Sequence, residues 1–191
     1  MAQPFVESLE TPLLLVAMPQ VLDPNFNRSV VLLLEHSTDG SFGLVINKPL
    51  ELTVESLAKQ LSITWNGLDD SPLFFGGPVY PNVAMMLFGE SSAAEKFVEI
   101  APGLRISEEI GTLRALASDP PSRLRIFAGH AGWGSGQLES EIARNDWLLA
   151  PLQLDLLFTP DPDTMWQRTL EGIGIRPEAL PLFTGGDEEG N

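Results

Sequence analysis

The segment 30–34, with the sequence VVLLL, constrains the fold more than any other part of this chain. Strands with one face in water alternate apolar and polar residues, so an unbroken apolar run predicts a strand covered on both faces. Residues 37–40, Ser-Thr-Asp-Gly, then read as a turn, and segment 42–46 has the composition of a returning strand. The two segments together predict a β-hairpin in the N-terminal part of the chain.

The rest of the chain predicts a mixture of strands and helices. Further strands are predicted at 13–16, 73–75, 83–88, 124–128, 147–149 and 154–158, with one or two more within 97–106. N-cap residues and apolar spacing predict helices at 53–61, from 107 to the prolines at 120–121, around 138–142 and at 164–172. This order predicts an α/β (α+β mixed) fold, with a compact mixed, largely antiparallel sheet flanked by helices.

The length of the chain, 191 residues, predicts one domain. We place that domain at residues 1–175, because the interior contains no linker and no repeat. Residues 176–191 are rich in proline, glycine and acidic side chains. That composition predicts an acidic, flexible tail.

The charge of the chain disfavours several classes of partner. Its formal net charge is −15, and its 11 lysines and arginines form no basic run. Nucleic acids and anionic membranes are bound through positive surfaces, so direct nucleic-acid binding and membrane association are not expected. A protein or a small molecule remains as the predicted partner.

Metal and cofactor sites are not expected either. The chain has no cysteine and only two histidines, His36 and His130, which excludes disulfides, thiolate zinc sites and sites built from several imidazoles. The first ten residues lack a basic stretch, and the apolar run 13–17 is too short for a signal peptide or a membrane span. These features predict a cytoplasmic protein without a cofactor.

The hairpin predicts a cluster of polar residues at one end of the sheet. If Glu35 pairs with Phe42, antiparallel register places Asn47 opposite Val30 and next to the turn at 23–25. The polar residues brought together in this way are Asp23, Asn25, Arg28, Asn47 and Lys48. Below they are called the turn surface.

The turn surface has two interpretations. Its cations and amides are suited to holding a small anion or a carboxylate, with Gly76, Gly77 and Trp133 as expected neighbours. Alternatively, Arg28 pairs with Asp23 and the asparagines satisfy backbone groups of the turn. Trp65, Trp133, Trp147 and Trp166 are predicted to be core or rim anchors.

An enzyme acting on a small anionic or phosphorylated substrate is the alternative function. Its available groups are Glu35, His36 and Ser135, which would have to meet in one pocket. Glu35 and His36 are adjacent in a strand, so their side chains are expected to diverge. The loop at 134–136 begins a dinucleotide pattern, but Glu139 replaces its third glycine. Glu141 and Arg144 are expected to form a surface pair.

A series of short blocks resembles one bacterial protein family. The blocks are LVAMP at 15–19, DPNF at 23–26, RSVV at 28–31, EH at 35–36, GLVINKP at 43–49, GGPV at 76–79, AGW at 131–133, GQLE at 136–139, EI at 141–142 and WL at 147–148. In this order they resemble the AlgH/YqgE family over nearly the whole chain. Two positions depart from its pattern: His130 stands where tyrosine is usual, and Leu87-Phe88 stands where Leu-His is usual.

The resemblance implies a compact cytosolic α/β protein with no established enzymatic activity. Some members are described as transcriptional regulators, although the family has no recognised DNA-binding motif. The acidity of this chain agrees with indirect regulation. The expected function is therefore a non-catalytic binding or regulatory protein that acts through a protein or small-ligand contact.

Overall fold

Ten strands and five α-helices occur within residues 9–180, the part of the chain that the computed structural model describes. The strands are β1 Leu13–Ala17, β2 Val30–Ser37, β3 Gly40–Val45, β4 Pro49–Thr53, β5 Pro72–Phe75, β6 Val79–Phe88, β7 Val98–Ala101, β8 Leu104–Ser107, β9 Leu124–Gly134 and β10 Trp147–Ala150. The helices are α1 Val54–Gln60, α2 Ile110–Ser118, α3 Gln137–Ala143, α4 Leu154–Leu157 and α5 Met165–Gly172. Short 3₁₀ turns lie at Pro162–Thr164 and Pro177–Ala179.

The strands form one curled sheet, which confirms the predicted mixed and largely antiparallel architecture. Its order is β10-β1-β2-β3-β9-β6-β8-β7, with β5 on β9 and β4 on β5. Among the described strands, only β5 and β9 pair in parallel. The long strand β9 joins the two halves, because its beginning pairs with β5 and β6 and its end pairs with β3.

Helices and loops cover both faces of the first strands. Leu14, Val16, Val30 and Leu32 point into the main core, which α4 and α5 complete. Their neighbours along β1 and β2 point to the opposite face, where α3 and the Trp133 and Trp147 rings cover them. A third apolar cluster holds α1 and α2 against β6 and β9. Both faces of β1 and β2 are therefore buried, as the unbroken apolar run at 30–34 predicted.

The hairpin register is confirmed at its turn and corrected at its other end. Glu35 pairs with Phe42, as expected, but Val31 pairs with Val45 because the register shifts between Leu33 and Glu35. A bulge of one residue explains the shift. The residue opposite Val30 is consequently Ile46 and not Asn47, and the Ile46 N–H donates to the Val30 carbonyl over 2.9 Å.

Local signals account for several helix boundaries. Thr53 accepts a hydrogen bond from the Ser56 N–H and begins α1, as predicted. The predicted strand at 154–158 is wrong: its residues form α4 and part of the loop that follows. The sequence LDLLF permits either period, and the packing of Leu154, Leu157 and Phe158, which are three and four positions apart, on the main core decides for the helix.

The C-terminal part of the described chain continues past the predicted domain boundary at 175. Leu180, after the turn Pro177–Ala179, packs against the main core. The rest of the predicted tail, 181–191, lies outside the described residues, as do residues 1–8. None of the helices within 9–180 is long and apolar enough to cross a membrane.

Candidate functional site

The turn surface exists, and Asn47 holds it together. The Asn47 Oδ1 accepts from the Val30 N–H over 2.8 Å, and its Nδ2 donates to the Arg28 carbonyl over 3.0 Å. The bulge places the backbone of Asn47 one position beyond the residue that pairs with Val30. Asn47 nevertheless bonds to Val30 through its side chain. Asn47 is also 8% exposed. This arrangement matches the alternative interpretation, in which asparagine satisfies the backbone of the turn.

Lys48 and Asp23 also form hydrogen bonds with backbone groups of the turn. The Lys48 Nζ donates to the Pro24 carbonyl over 2.7 Å, and the Asp23 carboxylate accepts from the Asn25 N–H over 2.8 Å. Burial lowers the pKa of the Lys48 ammonium, and the Asp23 charge opposes that shift. Most polar groups of the turn surface are thus engaged within the chain.

Arg28 does not form the ion pair that the alternative interpretation expected. Among the described residues no carboxylate lies within ion-pair distance of Arg28. Its guanidinium carbon lies 5.5 Å from the centre of the Trp166 ring, and its backbone has φ +49°. Arg28 is thus an exposed residue with a left-handed backbone, and its guanidinium lies over this ring.

Gly76 and Gly77 lie inside the molecule. Both are buried where the chain after β5 crosses the backbone of β9 at residues 129–131. The Gly76 carbonyl accepts from the Val45 N–H over 2.8 Å, and the Gly76 N–H donates to Ala128 over 2.9 Å. Close backbone packing explains these glycines, so they contribute no groups to a binding surface.

Trp133 is 6% exposed and also belongs to the interior. Its indole N–H and that of Trp147 both donate to one carboxylate oxygen of Glu141 over 2.8 Å. The expected surface pair of Glu141 and Arg144 is wrong, because Arg144 pairs with Asp146 at 2.7 Å. Trp133 does meet the turn surface indirectly, since Phe26 packs on it with ring centres 6.2 Å apart.

His36 and Ser135, two of the three groups proposed for catalysis, contact different partners and not each other. His36 Nδ1 lies 2.8 Å from the Ser41 hydroxyl, and His36 Nε2 lies 3.9 Å from the Glu139 carboxylate. Ser135 instead donates to the Thr38 carbonyl over 2.6 Å. Glu35 and His36 line one shallow depression, but Ser135 is not among its lining residues. In residues 9–180 no group of three acidic or imidazole side chains is placed to hold a metal ion.

The structure also contains a cleft that the sequence did not predict, with a volume of about 400 Å³. It is lined by β9, by Phe74 of β5 and by three wall segments at 65–72, 120–122 and 158–162, which consist mainly of loops. Below it is called the Arg125 cleft. Trp65, Leu68 and Phe158 line its apolar side.

Arg125 is the cation of this cleft. It is 7% exposed, and its Nη1 and Nη2 donate to the carbonyls of Ile46 and Thr159. The Phe74 ring lies against the guanidinium, with 4.3 Å between the guanidinium carbon and the ring centre. Burial lowers the Arg125 pKa to about 10, so the group remains charged at neutral pH. In the described residues no carboxylate lies within ion-pair distance of it.

A signal for Arg125 was present in the sequence. Arg125 stands in the segment 124–128, LRIFA, whose apolar residues predict a strand. A charged side chain in a buried strand is rare unless it is paired with another group or has a functional role. The wall residues gave no comparable signal, because they come from loops that are distant along the chain.

The fold and the cleft define a class: a mixed α/β protein with a curled antiparallel sheet and a ligand-sized cleft beside it. The chain belongs to the AlgH-like family, whose sequence pattern matches residues 14–178. It is 43% identical to a UPF0301 protein of Myxococcus xanthus over 91% of this chain and 96% of that protein. It is 36% identical to a UPF0301 protein of Thioalkalivibrio sulfidiphilus over 90% of this chain and 91% of the other.

Solved structures agree with this assignment. The solution structure of the AlgH protein from Pseudomonas aeruginosa matches with a TM-score of 0.73 and 30% identity, over 88% of this chain and 94% of that one. A crystal structure of a protein from Corynebacterium diphtheriae matches with a TM-score of 0.71 and 25% identity, over 92% and 91%. The resemblance seen in the sequence is thereby confirmed.

Proposed function

We propose that this protein is a non-catalytic binding protein that holds a small organic molecule in the Arg125 cleft. One observation carries the proposal: a cleft of about 400 Å³ combines apolar walls with a single buried cation. Ligand sites are typically concave, mostly apolar and provided with a few polar groups that fix orientation. The depression at Glu35 and His36 is lined mainly by polar residues, which include Ser37, Asp39 and Ser41.

Any effect on transcription is proposed to be indirect. A net charge of −15 opposes contact with phosphates, so a regulatory member of this class would act through a bound molecule or a protein partner. We propose a cytoplasmic location for this activity.

The ligand proposal is tested by filling the cleft. Ser71 lines the cleft and is half-buried, so we expect Ser71→Phe to occupy part of its volume. The wild-type protein, dialysed against a small-molecule extract of bacterial cells, is expected to retain at least one compound that mass spectrometry identifies. Ser71→Phe is expected to retain at least about tenfold less of it, since one ring would overlap the ligand.

The matched control is Ser92→Phe, which adds the same ring at an exposed serine outside the cleft. It is expected to retain the compound as the wild type does. Equal retention by Ser71→Phe, or no retained compound in the wild type, would remove the cleft as the ligand site.

A second proposal places a protein partner on the turn surface. Two observations favour it: Leu22 beside the turn is 53% exposed, and Arg28 keeps a left-handed backbone at the surface. Arg28→Ala is expected to abolish capture of the partner in a pull-down while leaving the circular dichroism spectrum unchanged. Arg114→Ala, at an exposed position of α2, is the control. Unchanged capture by Arg28→Ala would show that the turn surface is not the contact.

A further inference from the structure

We infer that the ligand of the Arg125 cleft is a monocarboxylate with a flat apolar body. The inference rests on the ligand-binding function proposed above and names the chemical class of the ligand. It depends on the charge balance of the cleft, the donors that Arg125 has left and the shape of the walls.

The charge balance calls for one negative charge. A buried cation is costly unless an anion or several hydrogen bonds compensate for it, and Arg125 has two backbone carbonyls. Carbonyl dipoles satisfy N–H groups but carry no net charge. Among residues 9–180 no acidic side chain lies within 4.0 Å of this guanidinium to neutralise it. A bound anion would supply the missing charge.

The donor count favours a carboxylate. A guanidinium has five N–H groups, and the two carbonyls take two of them, which leaves three for a ligand. Two parallel N–H groups match the two oxygens of a carboxylate. The Phe74 ring against the guanidinium plane limits its rotation and keeps the remaining donors in one orientation.

The surroundings disfavour a phosphate dianion. One cation leaves the second charge of a dianion uncompensated against apolar walls. The exposed Asp69 and Asp70 stand in the chain between the lining residues Leu68 and Ser71, and Asp161 stands between two lining prolines. These carboxylates would repel a dianion more strongly than a monoanion.

The walls favour a flat apolar body. Trp65 and Phe158 offer aromatic surface, and Leu68 at the rim is 75% exposed. Five lining positions are prolines, at 72, 120, 121, 160 and 162. Proline fixes its own φ, so these walls lose little conformational freedom when a ligand binds.

Three probes with one ring system test the inference: 1-naphthylacetate, its uncharged amide 1-naphthylacetamide, and 1-naphthyl phosphate. Titration calorimetry at pH 7 is expected to show that the carboxylate binds the wild type at least about tenfold more tightly than the amide, the range for a charge-assisted hydrogen bond. The phosphate is expected to bind more weakly than the carboxylate. Ser71→Phe is expected to bind none of them.

Two arginine variants separate binding from folding. Arg125→Met is expected to bind carboxylate and amide with affinities within about threefold, because the charge is gone while the aliphatic chain remains. Arg125→Lys keeps the charge but loses the paired donors, so we expect an intermediate preference even if the methionine variant fails to fold. Arg168→Met is the control and is expected to keep the wild-type preference for carboxylate over amide. Arg168 donates to the Thr159 hydroxyl over 3.1 Å but does not line the cleft.

Equal affinities of the wild type for carboxylate and amide would overturn the inference, as would a preference for the phosphate. In either case loss of binding in Ser71→Phe would still support the cleft as a ligand site. Failure of all three probes to bind would also overturn the inference. The extract experiment would then decide separately whether the cleft binds a ligand at all.

Discussion

Replacing Gly77 by alanine is expected to prevent the chain from reaching its native fold. Gly77 has φ +149°, a conformation that residues with a side chain rarely adopt. A Cβ there would overlap the backbone of His130 and Ala131, where the chain after β5 crosses β9. Backbone atoms within a paired strand cannot move aside as a flexible side chain would. We expect a loss of more than about 4 kcal/mol, which is a large part of the stability of an ordinary domain.

The measurement is urea unfolding followed by circular dichroism. Gly136→Ala is the matched control, because Gly136 also has a positive φ, +71°, but a Cβ there would meet no atom within 4 Å. It is expected to cost only the backbone conformational term, about 1–2 kcal/mol. Similar losses in the two variants would mean that the backbone at residues 130–131 can move to admit the new Cβ. The steric overlap would then add little to the free energy lost.

The hairpin shows how far the sequence determines this fold. An apolar run, a turn sequence and a second run specify β2 and β3, because each is a local feature and the turn allows few alternatives. The bulge between Leu33 and Glu35 has no such local signature. The register shift is therefore visible only in the paired strands.

The segment 154–158 shows a second limit. Its apolar residues are compatible with a buried strand or with a short helix, and periodicity over so few positions cannot separate them. α4 forms because Leu154, Leu157 and Phe158, which share one face of a helix, all pack on the main core. Packing thus decides between two local structures that the sequence leaves equal.

The candidate site was harder to predict than the fold. The polar residues around the turn predicted a binding surface. In the structure, the side chains of Asn47 and Lys48 form hydrogen bonds with the backbone of the turn itself. The cleft depends on three loops that meet only after the sheet has curled. A cation within a buried strand is a local signal for Arg125, but no local signal indicates which loops surround it.

Removing the carboxylate of Glu141 is expected to destabilise the protein by about 2–4 kcal/mol. One oxygen of this group accepts from the indoles of Trp133 and Trp147, which are 6% and 3% exposed. Glu141→Ala would leave two buried N–H groups without their acceptor, and each such loss costs about 1–3 kcal/mol. Urea unfolding followed by tryptophan fluorescence measures the effect at the rings concerned.

Two further variants distinguish this role from the surface pair that helical spacing predicted. Arg144→Ala removes the residue three places after Glu141 but leaves the indoles paired, so we expect a loss within about 1 kcal/mol. Glu141→Gln keeps an acceptor oxygen without its charge, so we expect less than half the loss of the alanine variant. If Arg144→Ala cost as much as Glu141→Ala, a surface ion pair would explain α3 better than the indole contacts do. If the glutamine and alanine variants were equally unstable, the charge of Glu141 would matter more than its geometry.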